Sequence, residues 1–150
     1  MSEDSRVGKV TAVCIRYPST TTEVLVFDHP LDEGGLMVQL PAGTIEPDEA
    51  PEEAVMRELR EETGVQAHSP LLAGVRDEDW QGEARRRWVY LLKAPPALAD
   101  EWPFKCDCGA DIRCYWLPLP TAAIVEAQQP WLEVARRYLA SPQTPEGSPT

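Results

Sequence analysis

The sequence lacks long hydrophobic runs, and none approaches the roughly 18 apolar residues that a membrane-spanning helix requires. Its first ten residues, MSEDSRVGKV, are polar and acidic, which differs from the basic and apolar regions of a secretory signal peptide. These absences predict a cytoplasmic protein with no membrane partner. Hydrophobic residues make up 43% of the 150 positions, which suffices for the core of one globular domain.

Positive charge is also scarce, because 14 lysines and arginines face 25 aspartates and glutamates, for a formal net charge of −11. A general nucleic-acid binder needs a basic surface to contact phosphates, so we expect no nucleic-acid partner. A small phosphorylated ligand is still compatible with this charge, because a bound divalent cation reverses the sign locally.

The four cysteines form no familiar zinc motif. Cys106, Cys108 and Cys114 have the spacings C-x-C and C-x5-C, whereas zinc sites usually use pairs such as C-x2-C with a fourth ligand. Cys14 lies within a predicted strand, and the two histidines are far along the chain. We therefore favour ordinary reduced cysteines, as in a cytosolic protein, over structural zinc.

Short apolar runs separated by turn residues predict several strands, among them 7–17, 23–28, 36–40, 86–93 and 112–117. Other segments are expected as follows. Residues 65–67 re-enter the sheet, and 71–76 form a strand that ends at an acidic turn over 77–79. Residues 97–111 are irregular, and 121–127 and 130–140 are helical. Strands on both sides of a central helix indicate one mixed α/β domain over residues 1–140. Residues 141–150 are rich in Pro, Ser and Thr and are expected to be a disordered tail.

The central helix has clear limits in the stretch LPAGTIEPDEAPEEAVMRELREETGV, residues 40–65. Pro51 suits a first helical position, because its missing N–H would be unpaired there in any case. Gly64 suits the left-handed conformation that ends many helices. Ala50 stands at the N-cap position and is a poor cap, so the first turn is expected to fray.

One face of this helix combines apolar and acidic residues. At about 100° per residue, Glu58 and Glu62 share the face that also carries Ala54, Val55 and Leu59, with Glu61 at its edge. Like charges four residues apart destabilise a helix, and acids near its C-terminus oppose the helix dipole. Carboxylates that face the protein body need a cation, and several hard oxygen ligands suit Mg²⁺ or Mn²⁺.

The fixed positions of the stretch, with their spacings, are Gly43, Glu49, Arg57-Glu58-Leu59, Glu61-Glu62 and Gly64-Val65. This pattern resembles the complete Nudix box. The resemblance implies the Nudix α/β/α sandwich, in which the box helix packs on a mixed sheet.

The resemblance also implies roles for the box residues. Glu58 and Glu62 are expected to be metal ligands, together with the carbonyl of Ala42 or Gly43, and Glu61 is expected to be a ligand or the catalytic base. Arg57 resembles the family arginine that positions a box glutamate, while Glu49 and Gly64 are structural. A further acid from outside the box is expected in some members, and the candidates are Glu78, Asp79, Glu101, Asp107 and Asp111.

The implied activity is Mg²⁺- or Mn²⁺-dependent cleavage of the pyrophosphate link in a nucleoside diphosphate joined to another group. That group could be a sugar, as in a nucleotide sugar, or the remainder of ADP-ribose or of a dinucleoside polyphosphate. The alternatives are a nucleoside triphosphate pyrophosphohydrolase and an inactive nucleotide-binding regulator. Arg85, Arg86 and Arg87 are the candidate phosphate contacts, with Arg16 in reserve, and Trp102 is a candidate to stack on a nucleobase. A homodimer is considered as well as a monomer.

Overall fold

The computed structural model describes residues 5–18 and 20–141. Within them, strands and two helices follow one another along the chain as β1 (Val7–Arg16), β2 (Glu23–Pro30), β3 (Leu36–Gln39), β4 (Ala42–Thr44), α1 (Pro51–Thr63), β5 (Leu71–Trp80), β6 (Glu83–Lys93), β7 (Glu101–Lys105), β8 (Asp111–Pro118) and α2 (Gln129–Ala140). All eight strands join one sheet, and the helices cover its two faces. The predicted α/β/α sandwich with a mixed sheet is confirmed.

The sheet has the strand order β5-β6-β1-β2-β8-β7. The central strands β1 and β6 are parallel, and the other neighbours pair antiparallel. β1 and β2 pair at Ile15–Val24 and Arg16–Glu23, and then each takes a different partner. β3 pairs with β2, and β4 pairs with the beginning of β1, so the chain enters α1 from inside the sheet.

Side chains that alternate along β1 fill two separate cores, because successive residues of a strand point to opposite faces. Val10 packs on the α1 side, where Val55 and Leu59 are fully buried. Val13 packs on the α2 side, against a core that includes Leu132. Each fully buried aliphatic side chain contributes about 1.5–3 kcal/mol, so α1 is fixed to the sheet by its apolar face.

The acidic turn expected over residues 77–79 is wrong. β5 continues through these acids to Trp80, and the turn lies at Gln81–Gly82, where both residues have positive φ. Asp77 pairs across the strands with Arg86, so opposite charges on neighbouring strands keep the acids in the sheet.

Three further expectations are corrected. Residues 101–105, expected to be irregular, form β7, which tolerates Pro103 because it is an edge strand. Residues 65–67 form no strand, although Val65 and Ala67 are buried in the α1-side core. In the segment 121–127, the structure has a short 3₁₀ turn beginning at Glu126 instead of an α-helix.

Cys106 and Cys108 are joined by a disulfide, so the expectation of reduced cysteines is wrong for this pair. Cys14 and Cys114 are free and buried. Of the predicted tail, only Ser141 falls within the described residues, and it follows α2 directly. None of the helices in the described ranges is both long enough and apolar enough to cross a membrane.

Candidate active site

The box helix α1 is held at both ends. The backbone N–H of Ala50 donates to Glu53 Oε1 at 2.8 Å, which supplies one half of a capping box and compensates for the missing side-chain cap. Gly64 has φ +79°, and its N–H donates to the Arg60 carbonyl at 2.9 Å. Beyond the helix, Trp102 Nε1 donates to the Thr63 carbonyl at 2.9 Å, so β7 anchors the C-terminal turn.

The turn before the helix brings backbone against two of the box acids. A Cβ placed on Gly43 would lie 2.1 Å from the carboxyl carbon of Glu58, so only glycine allows this approach. The N–H of Ala42 donates to Glu62 Oε1 at 2.9 Å. Glu58 and Glu62, one helical turn apart, therefore converge on the backbone of β4.

Arg57 ties the acids together. Its guanidinium donates to both carboxylate oxygens of Glu49, at 2.7 and 3.0 Å, and to the Thr44 carbonyl at 2.9 Å. The same group contacts Glu58 at 3.0 Å and Glu61 at 3.1 Å. Such multiple charge-assisted bonds fix the positions of the carboxylates, and they raise the pKa of Arg57 itself.

The fold disfavours the ionised form of the Glu58 and Glu62 carboxyl groups, so both pKa values are raised. Burial, together with the charges of Glu58, Asp107 and Glu61, raises the pKa of Glu62 to about 8. Burial also raises the pKa of Glu58, against the opposing effect of Arg57. Within the described part of the chain, Glu62 forms no ion pair with a lysine or arginine. A half-buried carboxylate pair in this state fits a hard divalent cation that would supply the missing positive charge.

Among the five candidate acids outside the box, the geometry favours Asp107. Its N–H donates to the Glu61 carbonyl at 3.2 Å, and its charge raises the pKa of Glu58 and Glu62. The other four interact elsewhere: Glu78 with Arg87, Asp79 with the Gly82 N–H, Glu101 with Arg113 and Asp111 with Lys105.

The three consecutive arginines of β6 have different surroundings. Arg87 is 2% exposed, donates to Glu78 at 2.9 Å and to Thr11 at 3.0 Å, and stacks 3.5 Å from the centre of the Trp131 ring. These contacts give it a structural role between the sheet and α2. Arg85 pairs with Glu83 at 2.6 Å, and Arg86 pairs with Asp77 at 2.7 Å.

Within the described ranges, Arg16 and Trp102 bond to other partners and not to the box acids. Arg16 bonds Glu23 at 2.8 Å, stacks on Trp116 and lines a cavity of about 470 Å³ at the ends of β1 and β6. The ring N–H of Trp102 donates to the last residue of α1, and the ring packs at a tilt against Trp116 with 6.5 Å between ring centres. The Trp102 ring is therefore part of the packing around the α1-side core.

Lys9 is a candidate that the sequence analysis missed. Its ammonium donates to the Thr44 hydroxyl, directly beside the Gly43 turn. Partial burial and the charges of Arg85 and Arg87 lower the pKa of Lys9, while the charge of Glu58 opposes this effect. The parallel pairing of β1 with β6 creates this group of cations beside the acids, and no local sequence pattern signals it.

A model of the NUDIX domain family matches residues 8–140. No match is found among curated proteins. Solved structures with a similar fold include a NUDIX hydrolase from Nitrosomonas europaea, with a TM-score of 0.68 at 21% identity over 88% of this chain and 89% of that one.

Two others share the fold. The first is the C. elegans Ap4A hydrolase in a binary complex, at 17% identity and a TM-score of 0.66, covering 89% of this chain and 98% of that one. The second is the NUDIX domain of Shewanella oneidensis NrtR in complex with ADP ribose, at 20% identity and a TM-score of 0.66, covering 91% and 90%. The match over most of the chain confirms the resemblance of the box, and the chain therefore belongs to the NUDIX domain family.

Proposed function

We propose that the protein is a divalent-metal-dependent hydrolase that cleaves the pyrophosphate link of a nucleoside diphosphate joined to another group. The observation that carries this proposal is the convergence of Glu58 and Glu62 on the backbone of Gly43 and Ala42. Two half-buried acids beside one backbone turn destabilise the metal-free fold. Their arrangement is explained by a cation and by a substrate that needs one.

The residues that would hold Mg²⁺ or Mn²⁺ are Glu58 and Glu62, with Glu61 and the carbonyl of Gly43 or Ala42 in reach of the same turn. When bound, such an ion neutralises phosphate charge and lowers the pKa of a water molecule. Asp107 adds negative charge beside the C-terminal turn of α1, because its N–H is bonded to the Glu61 carbonyl and its charge acts on Glu58 and Glu62.

Glu61 is the box acid best placed to take a proton from the attacking water. Its side chain is 29% exposed, compared with 13% for Glu58, so water reaches it more readily. The bond from Arg57 at 3.1 Å orients the Glu61 carboxylate. Arg57 is therefore a positioning residue that acts on three box acids at once, Glu49, Glu58 and Glu61.

Lys9 and Arg85 are the proposed phosphate contacts. Lys9 lies beside the Gly43 turn, and Arg85 is near enough to lower the pKa of Lys9. Arg16 stands seven positions along β1 from Lys9, or about 23 Å at 3.3 Å per residue, so it is not part of the cation group of Lys9 and Arg85.

The choice of substrate class is supported by the ligands named for two structural relatives, Ap4A and ADP ribose, which both contain a nucleoside diphosphate joined to a further group. A nucleoside triphosphate pyrophosphohydrolase is the competing activity. The full set of box acids argues against an inactive regulator, since loss of catalysis would leave Glu58, Glu61 and Glu62 without a reason to stay together.

The test is a panel of ADP-ribose, nucleotide sugars, dinucleoside polyphosphates and nucleoside triphosphates, each with Mg²⁺, with Mn²⁺ and with EDTA. Products are identified by chromatography and mass. We expect nucleoside monophosphate plus a second phosphorylated product from one of the first three classes, and none with EDTA. Pyrophosphate released from a triphosphate alone would favour the competing activity. No turnover of any compound, with binding retained, would indicate the regulator.

The test variant is Glu58→Gln, which keeps the size of the side chain and removes its charge. It should lose turnover by orders of magnitude, while its circular dichroism spectrum stays close to that of the parent and its melting temperature does not fall. The matched control is Glu52→Gln, which changes an exposed acid of the same helix and should leave turnover unchanged.

A further inference from the structure

A second group of metal-binding side chains lies outside the box, where β2 ends beside the turn between β7 and β8. His29, Cys106 and Cys108 each present one ligand atom, and the three atoms lie within 4.8 Å of one another. The distance from Cys108 Sγ to His29 Nε2 is 3.6 Å. Imidazole nitrogen and thiolate sulfur together are the donor set of zinc sites.

The imidazole is already oriented as a ligand. His29 Nδ1 lies 2.8 Å from the carbonyl oxygen of Pro30, and a carbonyl can only accept, so Nδ1 carries the proton. In the neutral ring, this tautomer leaves the lone pair on Nε2, which lies 3.6 Å from Cys108 Sγ. Metal-binding histidines use the same device, in which the second ring nitrogen donates to a backbone carbonyl.

The turn that carries the cysteines is shaped by its own backbone. Cys106 N–H donates to the Ala110 carbonyl at 3.0 Å, and Gly109 N–H donates to the Cys106 carbonyl at 2.8 Å. Gly109 has φ +90°, which a residue with a side chain rarely adopts. These bonds do not involve sulfur, so the turn keeps both cysteines beside His29 whatever their oxidation state.

The disulfide and a metal ion compete for the same two sulfur atoms. We propose that His29, Cys106 and Cys108 form a redox-gated binding site for a thiophilic divalent cation of the zinc class. A dithiol reductant donates two electrons and two protons, so the Cys106–Cys108 bond breaks, two thiols form and the reductant closes to its own disulfide. The cation then binds both sulfurs and releases two protons. In the reverse direction a small-molecule disulfide takes two electrons from the Cys106 and Cys108 thiolates and two protons from water, and becomes two thiols. The Cys106–Cys108 bond forms again and the cation leaves.

The site can open without a change of fold. Zn–S bonds of about 2.3 Å in a tetrahedral arrangement place two sulfurs about 3.8 Å apart. Cys106 is buried and Cys108 is exposed, so rotation of the Cys108 side chain provides this separation. Three protein ligands leave a fourth position for water.

The test uses Co²⁺ and Zn²⁺ with the full chain, which is first reduced with a dithiol and then freed of it without oxygen. Excess Mg²⁺ occupies the carboxylate site, for which hard oxygen donors suit it, and does not compete for thiolates. We expect one Co²⁺ per chain with thiolate-to-metal charge-transfer absorption, displaced by one Zn²⁺. The oxidised protein should show no such absorption, and a thiol assay after denaturation should find two fewer thiols.

The variants separate this site from others. Cys108→Ser changes an exposed residue and should abolish the charge-transfer band without altering the melting curve. His29→Gln should weaken Zn²⁺ by more than the 10–100-fold typical for loss of an outer-shell partner. His68→Gln, at the other and exposed histidine, is the matched control and should bind as the parent does. A reduced protein without the band, or a band that survives Cys108→Ser, would overturn the proposal.

Discussion

Replacing Glu62 by glutamine should stabilise the metal-free protein at alkaline pH and at the same time remove its response to metal. Glutamine keeps the oxygen that accepts from the Ala42 N–H, so the packing is preserved. What changes is the charge. The pKa of Glu62 is about 8 in the fold, raised first by burial and then by the neighbouring acids, compared with an ordinary value of 4.5.

The sign of the effect follows from proton binding. Between pH 4.5 and about 8 the native protein holds a proton on Glu62 that the unfolded chain has lost, so the free energy of unfolding falls as pH rises through this range. Below pH 4.5 the contribution of Glu62 to the free energy of unfolding is fully present, and above about pH 8 it is lost. At 1.36 kcal/mol per pKa unit, the loss is on the order of 5 kcal/mol as an upper bound.

Urea denaturation in EDTA at closely spaced pH values between 5 and 9 measures this loss. The parent should lose stability across the range, whereas Glu62→Gln should vary much less, with the exposed Glu52→Gln as the control that follows the parent. Mg²⁺ at 100 times its Kd should restore about 2.7 kcal/mol to the parent and nothing to the variant. Parallel curves for parent and Glu62→Gln in EDTA would refute the reasoning.

Four other substitutions test the site. Gly43→Ala places a methyl group where the Glu58 carboxylate lies, so it should abolish metal-dependent turnover, as measured with the identified substrate, and a variant of normal activity would contradict the close approach. Lys9→Met and Arg85→Gln should each raise KM about tenfold and change kcat by no more than about twofold, because a phosphate contact binds the ground state and the transition state alike. Arg136→Gln on α2 is the control. An unchanged KM in both test variants would show that Lys9 and Arg85 do not contact the substrate. Arg87→Lys keeps the charge but loses the forked hydrogen bonds and much of the stacking on Trp131. It should therefore lower the free energy of unfolding by about 2 kcal/mol and leave KM unchanged. A raised KM at unchanged stability would instead make Arg87 a substrate contact.

The box helix could be predicted from the sequence because its information is local. Pro51 and Gly64 set its limits, and the spacing of Glu58 and Glu62 sets the face they share, so the helix and its acids are found where expected. The fold class followed from the box resemblance. By contrast, the partners of these acids are set by tertiary contacts, such as the approach of Gly43 to Glu58.

The residues whose surroundings the sequence did not predict have one feature in common: their partners lie in distant segments of the chain. Trp102 has the pattern of a loop residue, yet it bonds to Thr63, which lies 39 residues earlier. Arg87 has the pattern of an exposed strand end, and only the parallel pairing with β1 and the packing of Trp131 from α2 bury it. His29 and Cys108 lie 79 residues apart, so no spacing rule could join them.

The contacts of Arg57 also bear on how ions would exchange at the proposed metal site. Since one guanidinium holds Glu49, Glu58 and Glu61 in place, the acids are arranged before any cation arrives. At the metal site proposed above, an ion would therefore enter or leave without refolding of the protein. Since hard oxygen ligands suit both Mg²⁺ and Mn²⁺, we expect the ion at this proposed site to follow the supply of the two.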